Sequence, residues 1–249
     1  RHRSELVAGE LPFDQMAGAQ LGPDFAADEV EAWLTSQQVA FDRVDDVAKR
    51  CEIVADRLAA GDVIGWFEGR MEFGPRALGH RSILADPRSV DVQRDLNLRV
   101  KGRESFRPFA PAVLWERAAE WFDLDRPSPY MLFTFGVRAD HLRPVTDEPS
   151  DPVERVQVPR SDIPACTHVD NSARVQTVHR ETNPVFHQLL EAFADRTDCP
   201  VLLNTSFNRA GEPIVCTPDD ALASARVAQL DLLVIGSFLI DGEAIRSSG

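Results

Sequence analysis

Apolar residues return at helical spacing in "DDVAKRCEIVADRLAAG", where Val47, Cys51, Val54, Ala55 and Leu58 share a face and Gly61 ends the run. "DVIGWF" then predicts a strand, followed by a charged loop, and "RSILAD" predicts a second strand. "SVDVQRDLNLRV" predicts a helix with Ser89 as its N-cap. "FAPAVL" reads as a strand, "ERAAEWF" as a helix, and "YMLFTFGV" as a long apolar strand. "SARVQTV" resumes as a strand. "NPVFHQLLEAFADRTD" predicts an amphipathic helix capped by Asn183, with Pro184 in its first position. "CPVLLNTSF" has the continuous apolar character of a buried strand. "TPDDALASARVAQ" starts as a helix at Thr217 and Pro218, and "LDLLVIG" and "SFLIDG" close the chain as strands. Strands and helices alternate irregularly and some strands are adjacent. The pattern predicts an α/β fold, a mixed sheet with helices packed on it.

Two segments depart from this pattern. Residues 1–30 lack steady periodicity, and "DEVEAWLTSQQ" predicts a short helix capped by Asp24 or Asp28. Residues 1–44 therefore read as an N-terminal extension or interdomain linker, and 45–249 as the folded domain. Residues 138–165 hold Pro144, Pro149, Pro152, Pro159 and Pro164 among several acids, which predicts a long loop, either a partly ordered lid or plain disorder. Position 1 is Arg, which reads as a processed product or an excised piece. No signal peptide opens the sequence, and no apolar run reaches the ~18 residues of a membrane span.

The formal net charge of −13 argues against nucleic acid or an anionic membrane as the main partner. The four cysteines, at 51, 166, 199 and 216, form no Cys-x-x-Cys pair, so reduced thiols in the cytoplasm are expected. Among 27 basic residues only Lys49 and Lys101 are lysines. A codon bias toward arginine accounts for that, and it makes a lysine kept inside a motif more informative. Between Gly69 and Arg107, nine Lys or Arg face five acids, a local net charge of +4. Such a reversal of sign suits an anion site, although a solvated helix face accounts for Arg94 and Arg99.

Three stretches carry the candidate chemistry. In "GRMEFGPRALGHRSILADPR" a Gly74-Pro75 turn presents Arg76, with His80 and Arg81 close behind. In "KGRESFRPFAP" Lys101, Arg103 and Arg107 combine a point charge with forked guanidiniums, both suited to phosphate. An arginine–carboxylate lattice with Glu68, Glu72 and Glu104 would use the same residue types. In "LLNTSFNRAGEP" the polar Asn204, Thr205, Ser206 and Asn208 end a buried strand, where open α/β sheets bind ligands and where Asx turns also occur. There is no phosphate-loop or dinucleotide fingerprint and no His-Glu-x-x-His. His80, His168, His179 and His187 are scattered, and no metal ligand is assigned.

Together these stretches closely resemble the C-terminal domain of the O-carbamoyltransferases of antibiotic and nodulation-factor biosynthesis, over about residues 45–245. The resemblance implies a YrdC-like twisted mixed β-sheet with packed helices. It implies activation of carbamoyl phosphate with ATP, and Mg²⁺, to carbamoyl adenylate. It also implies that a separate N-terminal domain, actin-like and iron-binding, passes the carbamoyl group to a hydroxyl of a small molecule; the iron-binding His pair of that domain is not in this sequence. By the same resemblance Lys101, Arg107 and Arg76 are catalytic, and Arg174, Ser206 and Asn208 bind substrate or nucleotide. Asn204, His80 and Arg81, from the same stretches, join the candidate binding residues. Two other readings stay open: an enzyme like the threonylcarbamoyl-AMP synthases, which share the YrdC fold, and a non-catalytic nucleotide-binding module.

Overall fold

The computed structural model describes residues 16–146 and 149–247. Helix α1 (Ala27–Ser36) and the short strand β1 (Asp42–Arg43) lead into helix α2 (Val47–Ala59). Asp46 starts α2 by accepting hydrogen bonds from the amides of Ala48 and Lys49. Strands β2 (Ile64–Phe67) and β3 (Arg81–Ala85) flank the arginine-rich loop. Then come α3 (Val92–Asp95), a π-helical turn (Leu96–Val100), β4 (Ala110–Leu114), α4 (Ala118–Trp121), β5 (Thr134–Gly136) and α5 (Pro152–Gln157). The chain continues through β6 (Ser172–Arg174), β7 (Gln176–Val178), α6 (Pro184–Thr197), β8 (Val201–Ser206) and α7 (Pro218–Ala228). It ends with β9 (Leu232–Ile235), β10 (Phe238–Asp241) and α8 (Gly242–Ser247).

Eight strands form one mixed sheet in the order β1-β10-β9-β2-β3-β8-β4-β7, and β5 pairs with β6 in a separate two-stranded ribbon. The pairs β2–β9 and β4–β7 are parallel and the rest antiparallel. Every residue of β2, β3, β4 and β9 is buried, as expected of strands covered on both faces. Helices α2 and α6 pack on each other, and α6 lies on β4 and β8. The expected caps form at two helices: Asn183 accepts from the amide of Phe186, and Thr217 from that of Asp220. Val30 and Leu34 of α1 join the main core, and β1 pairs with β10, so residues 27–43 pack on the sheet. Among the described residues no helix is long and apolar enough to cross a membrane.

Three local expectations are corrected. The helix after β3 starts at Val92, and Ser89 does not cap it. Of the apolar run Tyr130–Val137 only Thr134–Gly136 is a strand; Met131 turns with φ 54°, and Leu132 and Phe133 remain exposed. "SARVQTV" divides at the buried Val175 into β6 and β7, which belong to different sheets. The proline-rich segment 138–165 is more anchored than its composition suggested. His141 stacks on Trp121 with ring centroids 3.7 Å apart, Leu142 bridges to Ser161, and Ile163 and Ala165 are buried. Residues 147 and 148 of that segment lie outside the described residues.

Gly79 closes the arginine loop onto the core. Its φ is +100°, and an added Cβ would lie 2.3 Å from Cδ1 of the fully buried Phe186. Gly79→Ala is expected to destabilise the domain by about 2–5 kcal/mol, combining backbone strain with overpacking. At Gly102, with φ +53° but open space around the Cβ position, alanine should cost only about 1–2 kcal/mol. Urea midpoints of the two variants measure the difference, and equal midpoints would contradict the packing argument.

Candidate functional site

The sheet topology brings the three charged stretches together. Strands β3 and β4 both run antiparallel to β8, so their N-terminal ends meet its C-terminal end. Ser82 pairs with Ser206, and Ala110 with Asn204. The loops that lead into β3 and β4 therefore converge on the polar end of β8. A cavity of about 400 Å³ opens there, lined by Arg76, Arg103, Arg107 and Arg174 together with His168, Met131, Thr134, Asn204, Thr205 and Ser206. Among the described residues no carboxylate side chain lines it.

The arginine loop is shaped by buried polar groups. Glu72, 1% exposed, accepts hydrogen bonds through one oxygen from the amides of Leu78 (2.6 Å), His80 and Arg81 (3.3 Å each). The expected pairing of Glu72 with arginines is thus replaced by backbone capping, and Glu68 pairs instead with Arg50 of α2 at 3.5 Å. Asn204 donates to the Ala77 carbonyl and to Gln176, while Gln176 and Asn183 donate to the Leu78 carbonyl. Side chains from β7, β8 and the cap of α6 thus hold the backbone at Ala77 and Leu78, directly after Arg76. The loop before β4 has its own organiser. Asn97, fully buried, donates to the carbonyls of Ser105 and Arg107 and accepts from Arg103 Nε at 2.6 Å.

These cations are crowded and incompletely satisfied. The Nε atoms of Arg76 and Arg174 are buried without a hydrogen-bond partner. Burial, and then the charge of Arg76, lowers the Arg174 pKa from its ordinary value. Burial and Arg107 do the same to Arg103, whose guanidinium also lies over the Phe109 ring at 5.0 Å. Burial lowers His168 as well, and its Nδ1 lies 3.0 Å from Ser172 Oγ. Partly buried cations crowded together are costly, and a polyanion relieves that cost.

Lys101 occupies a different position from the arginines. It does not line the cavity; the residue is 5% exposed, and its ammonium is enclosed by the carbonyl and hydroxyl oxygens of Ser206 and by the carbonyl (2.9 Å) and side-chain oxygen (3.0 Å) of Asn208. Ser206 Oγ donates to Asn208 Oδ1 at 2.6 Å, and Asn208 Nδ2 reaches the Glu212 carbonyl. Lys101 thus lies directly behind Ser206, which faces the cavity. Burial, followed by the charge of Arg103, pushes the Lys101 pKa down to about 7.

Of the candidate residues, Lys101, Asn208, His80 and Arg81 do not line the cavity, and the last two lie away from it. His80 is buried between the Glu68 carbonyl (2.9 Å) and Asn183 (3.1 Å). The fully buried Arg81 guanidinium donates to the carbonyls of Glu68, Gly69, His80 and Pro23 and sits 3.4 Å over the Phe67 ring. Both brace the loop that carries Arg76. Conversely, Arg103, His168, Met131 and Thr134 line the cavity without having been assigned to it. Arg103 shares its motif with Lys101 and Arg107, a signal that was available. Nothing local marks His168 or Asn97.

Comparisons with known proteins identify the family. The family model described as "Carbamoyltransferase C-terminus" matches residues 55–242. An uncharacterized protein of Synechocystis sp. is 52% identical over 91% of this chain and 37% of its own length. Nodulation protein NolO of Bradyrhizobium diazoefficiens is 42% identical over 94% of this chain and 41% of its own. A 3'-hydroxymethylcephem-O-carbamoyltransferase of Amycolatopsis lactamdurans is 38% identical over 72% of this chain and 30% of its own. The chain thus spans about two fifths or less of the length of these relatives. A solved structure, full-length HypF in its phosphate- and nucleotide-bound form, aligns with a TM-score of 0.47 at 14% identity over 76% of this chain and 25% of that one. With its matched segment running from α2 to α8 and taking in every motif of the cavity, this chain belongs to the carbamoyltransferase C-terminal family.

Proposed function

We propose that this domain binds ATP and carbamoyl phosphate in the four-arginine cavity and forms carbamoyl adenylate, which another domain of a longer protein transfers to a hydroxyl of a small molecule. The observation that carries this reading is four guanidiniums around one cavity with no lining carboxylate. ATP and carbamoyl phosphate repel each other until their charge is neutralised. Preorganised cations aimed at developing charge are the main means of catalysing such transfers. In the overall reaction the carbamoyl group ends on the α-phosphate of ATP, pyrophosphate leaves from ATP, and phosphate leaves from carbamoyl phosphate with the uptake of one water.

In this reading Arg76, Arg107 and Arg174 hold phosphate oxygens, and Arg103 adds charge from the same loop as Arg107. The Ser206 hydroxyl accepts from Lys101 and donates to Asn208 in the ligand-free protein, and on binding it turns that proton to the anion. Mg²⁺ would enter with ATP and be held by phosphate oxygens and water, because the cavity offers it no carboxylate. Iron belongs to the other domain; among the described lining residues only His168 is of a metal-ligating type.

The test is pyrophosphate release by the longer protein and by this domain. Release should require both ATP and carbamoyl phosphate and be indifferent to threonine. Release driven by bicarbonate and threonine would instead indicate a threonylcarbamoyl-AMP synthase-like reaction. Tight ATP binding without any release would indicate a regulatory module.

A further inference from the structure

A second cluster of titratable groups lies at the other end of β4. Ala110, the first residue of that strand, lines the arginine cavity, whereas Glu116 follows Leu114 at its exit. There Glu116 meets His187 and Glu191, one helical turn apart on α6. His187 Nε2 lies 2.8 Å from Glu116 Oε1, and His187 Nδ1 lies 3.3 Å from Glu191 Oε2. One donor atom from each residue falls within 4.8 Å of the others. The His187 side chain is 2% exposed, and its Nδ1 is buried without a hydrogen-bond partner while facing the Glu191 carboxylate.

From this cluster we propose that Glu116, His187 and Glu191 form a binding site for a divalent transition-metal ion of the Zn²⁺ type. A Zn²⁺ ion about 2.0–2.2 Å from nitrogen and oxygen ligands holds those ligands roughly 3–3.5 Å apart. The two carboxylates approach different ring nitrogens, so one nitrogen and one oxygen of each carboxylate, now within 4.8 Å of one another, close up by rotation of a glutamate side chain. One imidazole and two carboxylates suit Zn²⁺ better than Mg²⁺ or Ca²⁺, which prefer oxygen alone. Glu116 and Glu191 line a surface cleft of about 470 Å³ that also includes Glu52 and Asp195, and an ion entering it reaches the buried His187 ring between the two carboxylates. The two arginines of the cleft are engaged elsewhere, Arg117 with Glu120 at 3.0 Å and Arg196 with Asp56. Arg180 takes Glu191 Oε1 at 2.5 Å, leaving Oε2 turned to the ring. Water fills the remaining coordination positions.

Such an ion would tie the exit of β4 to α6, whose cap Asn183 holds the Leu78 carbonyl of the arginine loop. Its role is structural, separate from the anion chemistry. Coordination requires a neutral ring nitrogen, so binding releases any proton held there.

The experiment is calorimetric titration of chelator-treated protein with Zn²⁺, with thermal melting in parallel. One equivalent should bind and raise the melting temperature. Glu116→Gln and Glu191→Gln should each weaken binding by at least about tenfold, the loss that removing even an outer partner of a metal ligand causes. Both residues are partly exposed, so these variants should fold even if His187→Gln does not. Titration with Co²⁺ should produce visible d–d bands that both variants lose. Absence of saturable binding would overturn the proposal, and so would affinity unchanged in both variants, which would place Zn²⁺ elsewhere. Nitrogen NMR showing a doubly protonated His187 ring that persists with excess Zn²⁺ would also overturn it, leaving a histidine ion pair between two carboxylates.

Discussion

Lys101→Met is expected to reduce carbamoyl phosphate-dependent pyrophosphate release by about 100-fold or more, the scale of losing one preorganised charge donor in an active site. The ammonium is surrounded by four oxygens of Ser206 and Asn208, so its removal also frees the loop that places the Ser206 hydroxyl. Lys101→Arg should be nearly as poor, because a planar fork does not fit a cage shaped for a point charge. Full activity in the Met variant would remove Lys101 from the site. Stability supplies an independent readout. Burial and Arg103 bring the Lys101 pKa down to about 7, against an ordinary value of 10.5. Between those values the unfolded chain binds more protons at this residue than the folded one, so this residue's contribution makes stability rise with pH. Below about pH 7 both states are protonated there and the contribution is flat. Urea midpoints at pH 7 and pH 9.5 should therefore increase less in Lys101→Met than in the unmodified protein. Equal increases would show that the ammonium is not held at a depressed pKa.

Arg76→Ala is expected to weaken ATP or carbamoyl phosphate binding by about tenfold or more, a loss of roughly 1.4 kcal/mol or above. Its guanidinium lines the cavity with a buried Nε that lacks a partner, so an anion adds a contact rather than replacing one. Arg174→Met should behave likewise, and it should leave the ligand-free protein at least as stable, since it removes a cation disfavoured by burial and by Arg76. Arg94→Ala is the control. Arg94 is exposed and paired only with Asp91 and Asp95, each at 3.4 Å, and such surface pairs contribute about 0–1 kcal/mol. Calorimetric titration of the three variants measures the contrast. Equal affinities throughout would exclude the cavity as the anion site.

What was legible in the sequence was local. Asp45–Ala60 repeats its apolar residues at helical spacing, and Asn183 and Thr217 stand before prolines, because caps and periodicity act over one or two turns of backbone. The three charged motifs were equally visible, since each is a continuous stretch. Where locality failed, the reading failed with it. "YMLFTFGV" has the composition of a buried strand, yet it bends at Met131 and leaves Leu132 and Phe133 exposed beside the cavity. "SARVQTV" reads as one strand, yet Val175 divides it between two sheets.

Residue type alone also could not separate Arg76 from Arg81, five positions apart in one motif. Strand pairing decides that one enters the cavity while the other is sealed among carbonyls over Phe67. Glu72 became a backbone cap and Asn97 a loop clamp because tertiary packing left amides and carbonyls that needed buried partners. Glu116 and His187, 71 positions apart, meet only because α6 packs on β4. Local pattern alone showed most of the elements, the Asn183 and Thr217 caps and a local surplus of cations. The antiparallel placement of β3 and β4 against β8 decided which cations share a cavity, because strand order and register depend on contacts between distant segments that no local pattern encodes.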